Sequence, residues 1–182
     1  MKLSPIISVL REKCPSFGGR VGGSADYGMI EKTSNLKTPC AFVLPLGESA
    51  EYEAFNGTSY RQGVVGQFGV LVFLSTRGNA LAEVSYDRSQ DLKAEVFRAL
   101  LGAEVPSGGA ITYDGEVILD AGKARLVVQW EFNAPYEIVT EETAQGATLE
   151  ALGELEGVDG LIDPAPADWE DAVKFSINLK GS

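Results

Sequence analysis

The chain has 182 residues, 45% of them hydrophobic, with 15 basic against 26 acidic side chains and a net charge of −11. A chain of this length buries roughly 70% of its unfolded surface, so a core needs neither disulfides nor a metal, and the acid excess argues against a reader of nucleic-acid phosphates. There is no histidine, which removes the Ser-His-Asp and Cys-His nucleophile systems, histidine general bases and histidine metal sites together.

The first predicted element is a helix. Ser4 is the expected cap, Pro5 suits the first helical position, and Ile6, Val9 and Leu10 share a face. Pro15 disfavours helical geometry at Cys14 and should stop it there. The apolar stretch Ile6–Leu10 is too short and interrupted for a signal peptide, and no run approaches the ~20 apolar residues of a membrane span. Ser16–Thr38 reads as a mostly irregular connection with a short turn of helix around Ala25–Glu31. Pro39–Leu46 is apolar and bounded by prolines, which suits a buried strand of about six residues. Gly47–Tyr60 is polar and acidic, with Asn56-Gly57 as a turn signal, and is expected to be an exposed loop.

Arg61–Thr76 is the clearest strand. Val65, Gln67, Gly69, Leu71 and Phe73 alternate with Val64, Gly66, Phe68, Val70, Val72 and Leu74. Both faces are apolar toward its end, so it should be central there. Gly63, Gly66 and Gly69 suggest bulges or a close backbone approach. A helix follows over Ser89–Leu101, capped by Ser89 or Asp87, with Leu92, Val96, Ala99 and Leu100 inward and Gly102 after its end. Ile111–Tyr113 and Glu116–Leu119 flank Asp114-Gly115, which predicts a hairpin. A second turn at Asp120–Lys123 leads into a long strand, Ala124–Ile138, with Leu126, Val128, Trp130 and Phe132 on one face. Val139–Asp171 is acidic, with a short helix expected over Ala147–Leu155. Val173, Phe175, Ile177 and Leu179 alternate with polar residues in a terminal strand.

This order gives an α+β domain, a largely antiparallel sheet with two main helices packed on one face, plus a C-terminal arm ending in a strand. Residues 1–138 form the domain. Residues 139–182 form an acidic arm and terminal strand, expected to pack on the same domain.

Motifs for chemistry are scarce. Gly18–Gly23 lacks the lysine and Ser/Thr of a P-loop. The acids at Glu48, Glu51 and Glu53, at Glu137, Glu141 and Glu142, and at Asp168, Glu170 and Asp171 have neither calcium-loop spacing nor an apolar setting, and read as solvated surface. Cys14 and Cys40 read as reduced, mostly buried thiols. Trp130 reads as core. Trp169 follows two prolines in the acidic arm and is a candidate anchor to its own domain or to a neighbour. No catalytic, cofactor or metal site is expected.

Several segments, taken in order, resemble phage tail terminator proteins. They are Ile6–Arg11 with Cys14-Pro15, Pro39–Gly47, Arg61-Gln62 with Phe68–Val72, Arg98–Gly102, and the hairpin leading to Trp130-Glu131-Phe132. The resemblance covers residues 1–138 and is weaker over 139–182. It implies a structural virion protein of the tail–neck region, assembled in the host cytoplasm. Such proteins form a homo-oligomeric ring, commonly a hexamer, that caps the tail tube and stops its polymerisation. The ring offers a surface to head-completion or connector proteins while DNA passes through the lumen without specific binding. No enzyme activity, cofactor or membrane partner is implied. Glu48, Glu51, Tyr52, Phe55, Tyr60, Arg61, Trp169 and Phe175 are the candidate contacts with neighbours or the tube. The competing readings are a head–tail connector component, a small acidic hydrolase, and a dimeric ligand-binding module.

Overall fold

A computed structural model describes the chain apart from residues 31–35, 51–54, 57–58, 77–81, 105–107, 123, 153–156, 163–172 and 179–182, with the backbone alone described for 29–30, 55–56, 82–83, 157–162 and 173–178. The chain divides into two compact units, Met1–Val139 and Thr140–Ser182.

In the first unit, α1 (Ser4–Lys13) leads to β1 (Val21–Gly23) and α2 (Ser24–Ile30). Then come β2 (Cys40–Ala50), β3 (Phe55–Asn56), β4 (Ser59–Ser75), α3 (Ala82–Leu100), β5 (Thr112–Ala121) and β6 (Arg125–Val139). The sheet runs β1-β2-β4-β6-β5, with the short β3 folded back on β4. Among the described residues β1 alone pairs in parallel, and the other ladders are antiparallel. The expected α+β class, with its largely antiparallel sheet, is what the chain adopts.

Alternation along β4 and β6 builds two cores. On one face Phe68, Val70, Val72 and Leu74 meet Leu126, Val128, Trp130 and Phe132. Covering them are α1, through Ile6 and Leu10, and α3, through Leu92, Val96, Ala99 and Leu100. These two helices are the pair expected on one face. The stacked rings of Phe68 and Phe132, 5.3 Å apart, mark its centre. On the other face Cys40, Phe42, Leu71, Phe73 and Val127 form a smaller cluster, capped by Tyr27 of the third helix, α2. Cys14 lies in the first core and Cys40 in the second; both are buried and free, and burial pushes each thiol up to about 11.

Several expectations need correction. Ser4 does not cap α1: Leu3 holds the cap position, with no side-chain cap bond. The connection after Ser16 hides β1, which joins the sheet through Val21–Gly23 opposite Ala41–Val43. The Pro39–Leu46 strand extends to Ala50, so the expected loop from Gly47 is paired backbone at both of its ends, Gly47–Ala50 and Ser59–Tyr60. The β4–β6 register is unbroken, so the glycines of β4 do not bulge. Gly66 and Gly69 leave space for side chains: a Cβ there would approach Met1 and Gln129 at 3.3 and 3.2 Å.

Helix α3 begins at Ala82, so Asp87 and Ser89 lie inside it, and the Ser89 hydroxyl donates to the Tyr86 carbonyl at 2.6 Å. Asp114-Gly115 is not a turn. β5 runs straight through it, and Asp114 is the extra residue of a bulge between Tyr113, opposite Phe132, and Gly115, opposite Glu131. The reversal comes at the second expected turn, where Gly122 and Arg125 share a backbone hydrogen bond. The backbone approach expected along β4 occurs instead at Gly108, where a Cβ would collide with the Pro135 carbonyl.

In the second unit, α4 (Ala144–Ala151) is followed by β7 (Gly157–Ile162) and β8 (Val173–Asn178). The helix begins three residues earlier than expected because Thr143 caps it, its hydroxyl accepting from the Gly146 amide at 3.4 Å. β7 and β8 pair as an antiparallel ribbon.

Candidate assembly surfaces

The first surface is the far end of the sheet, where β2, β4 and β6 extend beyond the helices. Strand β2 is buried from Cys40 to Val43 and exposed from Pro45 to Ala50, although it stays paired with β4. Two ion pairs hold this end. The Met1 amino group lies 2.7 Å from Glu48, and Arg61 lies 3.2 Å from Glu137 on the neighbouring strand. The hydrogen bond from the amino group holds the Glu48 carboxyl below its ordinary value, against a smaller opposing push from desolvation. The Tyr60 hydroxyl donates to Gln62 at 2.7 Å.

The second surface is the sheet face beyond α2. There Gln67 reaches Asn133 at 3.3 Å, Asn133 donates to Asp114 at 3.1 Å, and Gln129 donates to Glu131 at 2.7 Å. The polar row crosses β4, β6 and the bulge of β5. It contrasts with the apolar face behind it, because odd-numbered β6 positions from Gln129 to Asn133 face away from the Trp130 core.

The third surface is an apolar groove of about 370 Å³ between the start of α3 and the β5–β6 turn, lined by Thr76, Ser85, Tyr86, Ile118, Gly122 and Leu126 among others. Ile118 is 51% exposed and Tyr86 41%, and Val84, Val117 and Leu119 beside them are exposed too. Leu119 is the extra residue of a second bulge in β5, between Ile118 and Asp120. Three successive apolar residues thus stand exposed on an edge strand.

The wall of this groove is fixed by one carboxylate. Glu116 accepts from Lys93 at 2.9 Å and from the Trp130 indole at 3.1 Å, and the Tyr86 hydroxyl lies 3.3 Å away. Lys93 also sits 4.7 Å above the Tyr113 ring and 5.5 Å above Phe97. Burial raises the Glu116 pKa, but Lys93, Trp130 and Gln90 outweigh it and the net shift is downward. Burial likewise opposes the charge on Lys93, and its contacts with Tyr113 and Glu116 leave it raised. Both shifts favour the ion pair.

Of the candidate contacts, Tyr60 stands opposite Phe55 of β3 and Arg61 opposite Val139, at the start of β4, while Glu48 stands opposite Gly66, five residues further along the same strand. Phe175 lies in β8, opposite Gly160. Glu51, Tyr52 and Trp169 lie outside the described residues. Sequence reasoning missed the groove, whose walls are distant in the chain. The signal available was Val117-Ile118-Leu119, three apolar residues in a row beside charged neighbours. Among the described residues no group of three or more acidic or cysteine side chains is placed to hold a metal, and no helix is long and apolar enough to cross a membrane.

Comparison with known proteins gives one family. A family model described as phage tail terminator protein matches residues 1–143. No curated protein matches the chain. Among the solved chains that match, one is similar over 76% of this chain and 96% of its own length, at 13% identity and a TM-score of 0.34, too low to assign a shared fold.

Proposed function

The chain belongs to the phage tail terminator family, and on that premise we propose that copies of it close into a ring, of six subunits, on the last ring of a tail tube. The family makes it a structural component of the virion tail. The finer reading is that the ring halts tube polymerisation and presents its outer surface to head-completion or connector proteins. DNA passes through its lumen unbound, as suits a protein of net charge −11.

One observation carries this reading. The sheet ends in two unlike edges, β2 beyond Val43 on one side and β5 on the other, and no described strand pairs with either. A twofold dimer joins one surface to itself, whereas a ring joins two different surfaces head to tail. Unlike open edges suit the second arrangement. Both edges carry bulges, at Leu46 and at Asp114 and Leu119, which discourage indiscriminate strand addition. Closure then depends on particular side chains.

In this reading the far end of the sheet, with Glu48, Phe55, Tyr60 and Arg61, faces the tube or a neighbour, and Glu51 and Tyr52, which follow β2 in the sequence, are candidates for the same contact. Residues 139–182, with Trp169 and Phe175, form an arm that reaches the next subunit. The test is to incubate the purified chain with tail tubes and image the products in negative stain. Closed rings seated on tube ends, with no further tube growth, are expected. Binding to portal rings and not to tubes would replace this reading with that of a connector component.

A further inference from the structure

We propose that the uncovered face of the sheet, at Gln67, Gln129, Glu131 and Asn133, lines the opening of the ring and is the surface past which double-stranded DNA slides; this rests on the ring reading above and fixes which way each copy faces. Neighbours in that ring sit at the two edges of the sheet, β2 and β5, so one face looks toward the axis and the other away from it. Curvature decides part of the choice. A helix layer adds about 10 Å to the side that carries it, and the outer circumference has more room for it than the inner one. Helices α1 and α3 both cover the Trp130 face. On the other face α2 sits alone, at the Phe42 and Phe73 end.

Charge decides the rest. Directly opposed residues share a face, and alternate positions along a strand share it too. By the registers of β4, β5 and β6 the uncovered face takes Asp120, Glu131 and Glu137, with Arg61 and Arg125. Both arginines are paired there, Arg61 with Glu137 at 3.2 Å and Arg125 with Asp120 at 2.9 Å. Among the described residues Glu131 has no cation beside it, and Asp114 joins it. Asp114 is the extra residue of the β5 bulge and accepts from Asn133 at 3.1 Å; a bulge re-aims a side chain in this way. The amides of this face donate to its own oxygens, Gln129 to Glu131 at 2.7 Å and Gln67 to Asn133 at 3.3 Å. Leu46, beside Gln129 over Gly69, is an exposed apolar side chain on the same wall.

The helical side differs. Arg11, Lys13, Arg88 and Arg98 stand exposed on α1 and α3. The exposed acids of the same helices are Glu12, Asp87 and Asp91. Exposed cations bind phosphates without regard to sequence, so the helical side turned inward, and repeated in every copy, would hold DNA. The sheet face turned inward repels it instead, over about 8–10 Å at ordinary salt.

The test reverses one charge on each side of the full-length chain, Glu131→Lys on the sheet face and Glu12→Lys on α1. Each variant is assembled on tail tubes, and the capped tubes are offered linear and covalently closed circular double-stranded DNA. A linear duplex can enter the opening by its end; a closed circle cannot. Tubes capped by the native chain should hold neither. Glu131→Lys caps should retain linear DNA several-fold better than circular DNA, with retention falling as salt rises. Glu12→Lys caps should not distinguish the two forms. Glu131→Lys caps that retain both forms equally, or neither, would overturn the proposal and leave the ring reading standing. So would a Glu131→Lys chain of native thermal stability that no longer caps tubes, since it would place Glu131 in a contact with a neighbour or the tube. Should Glu131→Lys melt early, Gln67→Lys carries the same test from an exposed position of β4. Tubes without rings, for the unmodified chain, would instead overturn the ring reading and this orientation with it.

Discussion

The two faces of the β4–β6 ladder share a backbone and differ in almost everything else. On one, Phe68, Val70, Val128, Trp130 and Phe132 are wholly buried beneath α1 and α3. On the other, α2 covers only the end near Phe42 and Phe73, and the ladder continues as Gln67, Gln129, Glu131 and Asn133. A sheet with one closed face is enough to hold a monomer together. The first face therefore carries most of the stability, and in the proposed ring the second faces the opening while the groove and the edges meet the neighbours. Substitutions on the two faces should separate folding from assembly.

The largest effect is expected in the closed face. Phe68→Ala removes a fully buried ring stacked on Phe132 at 5.3 Å. Such truncations cost about 3–5 kcal/mol. Denaturant unfolding should show the loss as a lower midpoint. A loss under about 1 kcal/mol would mean that this face is not the main core.

Next comes the carboxylate that fastens α3 to β5. Lys93 and Glu116 are only 16% and 15% exposed, and breaking a buried pair from one side costs roughly 3–5 kcal/mol. Residual solvent contact places Glu116→Gln just below that range, at about 2–3 kcal/mol. The pH dependence follows from the direction of the shift. Glu116 is held below its unfolded value, so its contribution is present above the ordinary carboxylate range and fades as pH falls through the folded value. Lys93 is raised, so its contribution is present below the unfolded lysine value and fades only as pH rises through the folded one. Stability of the native chain should thus fall on acidification, and the Glu116→Gln variant should show a smaller fall. Equal pH profiles would show that the pair contributes nothing to stability.

How much of this was legible in the sequence depends on how far each signal repeats. β4 and β6 alternate over 17 and 15 residues, and their faces could be assigned before any pairing was known. β1 offers three residues, two of them glycine, and cannot be distinguished from a connection. The first turns of α3 were hidden because Val84 and Tyr86 are apolar yet exposed, which breaks the inward stripe; the same feature makes one wall of the groove. Asp114-Gly115 carries a turn signal that a bulge satisfies equally well. Tyr60 and Arg61 adjoin in the sequence, but that Glu48 stands opposite Gly66 and not opposite them depends on the β2–β4 register, which no local signal gives. The groove was not legible either, because Thr76, Tyr86, Ile118 and Gly122 meet only once β5 has paired with β6.

On the open face the stability effects should shrink. Asn133 bridges Gln67 and Asp114 through exposed hydrogen bonds of 3.3 and 3.1 Å. A net hydrogen bond contributes about 0.5–1.5 kcal/mol, and exposure puts Asn133→Ala at the bottom of that range. Thermal melts should barely separate it from the native chain. A drop as large as that of Phe68→Ala would show that this face is part of the core.

The smallest expected effect on stability is at Arg61, and it discriminates most sharply between folding and assembly. The side chains of Arg61 and Glu137 are 71% and 46% exposed at a separation of 3.2 Å, and exposed pairs are worth about 0.2–1 kcal/mol. Arg61→Ala should therefore melt within a degree or two of the native chain. If the far end of the sheet meets the tube, the same change removes a charge from that contact and should reduce capping of tube ends several-fold, with the deficit depending on salt. Reversal to Arg61→Glu should deepen the deficit, because it places a second acid beside Glu137. Unchanged capping by both variants would move the tube contact away from this end of the sheet, while leaving the closed face and its stability as described.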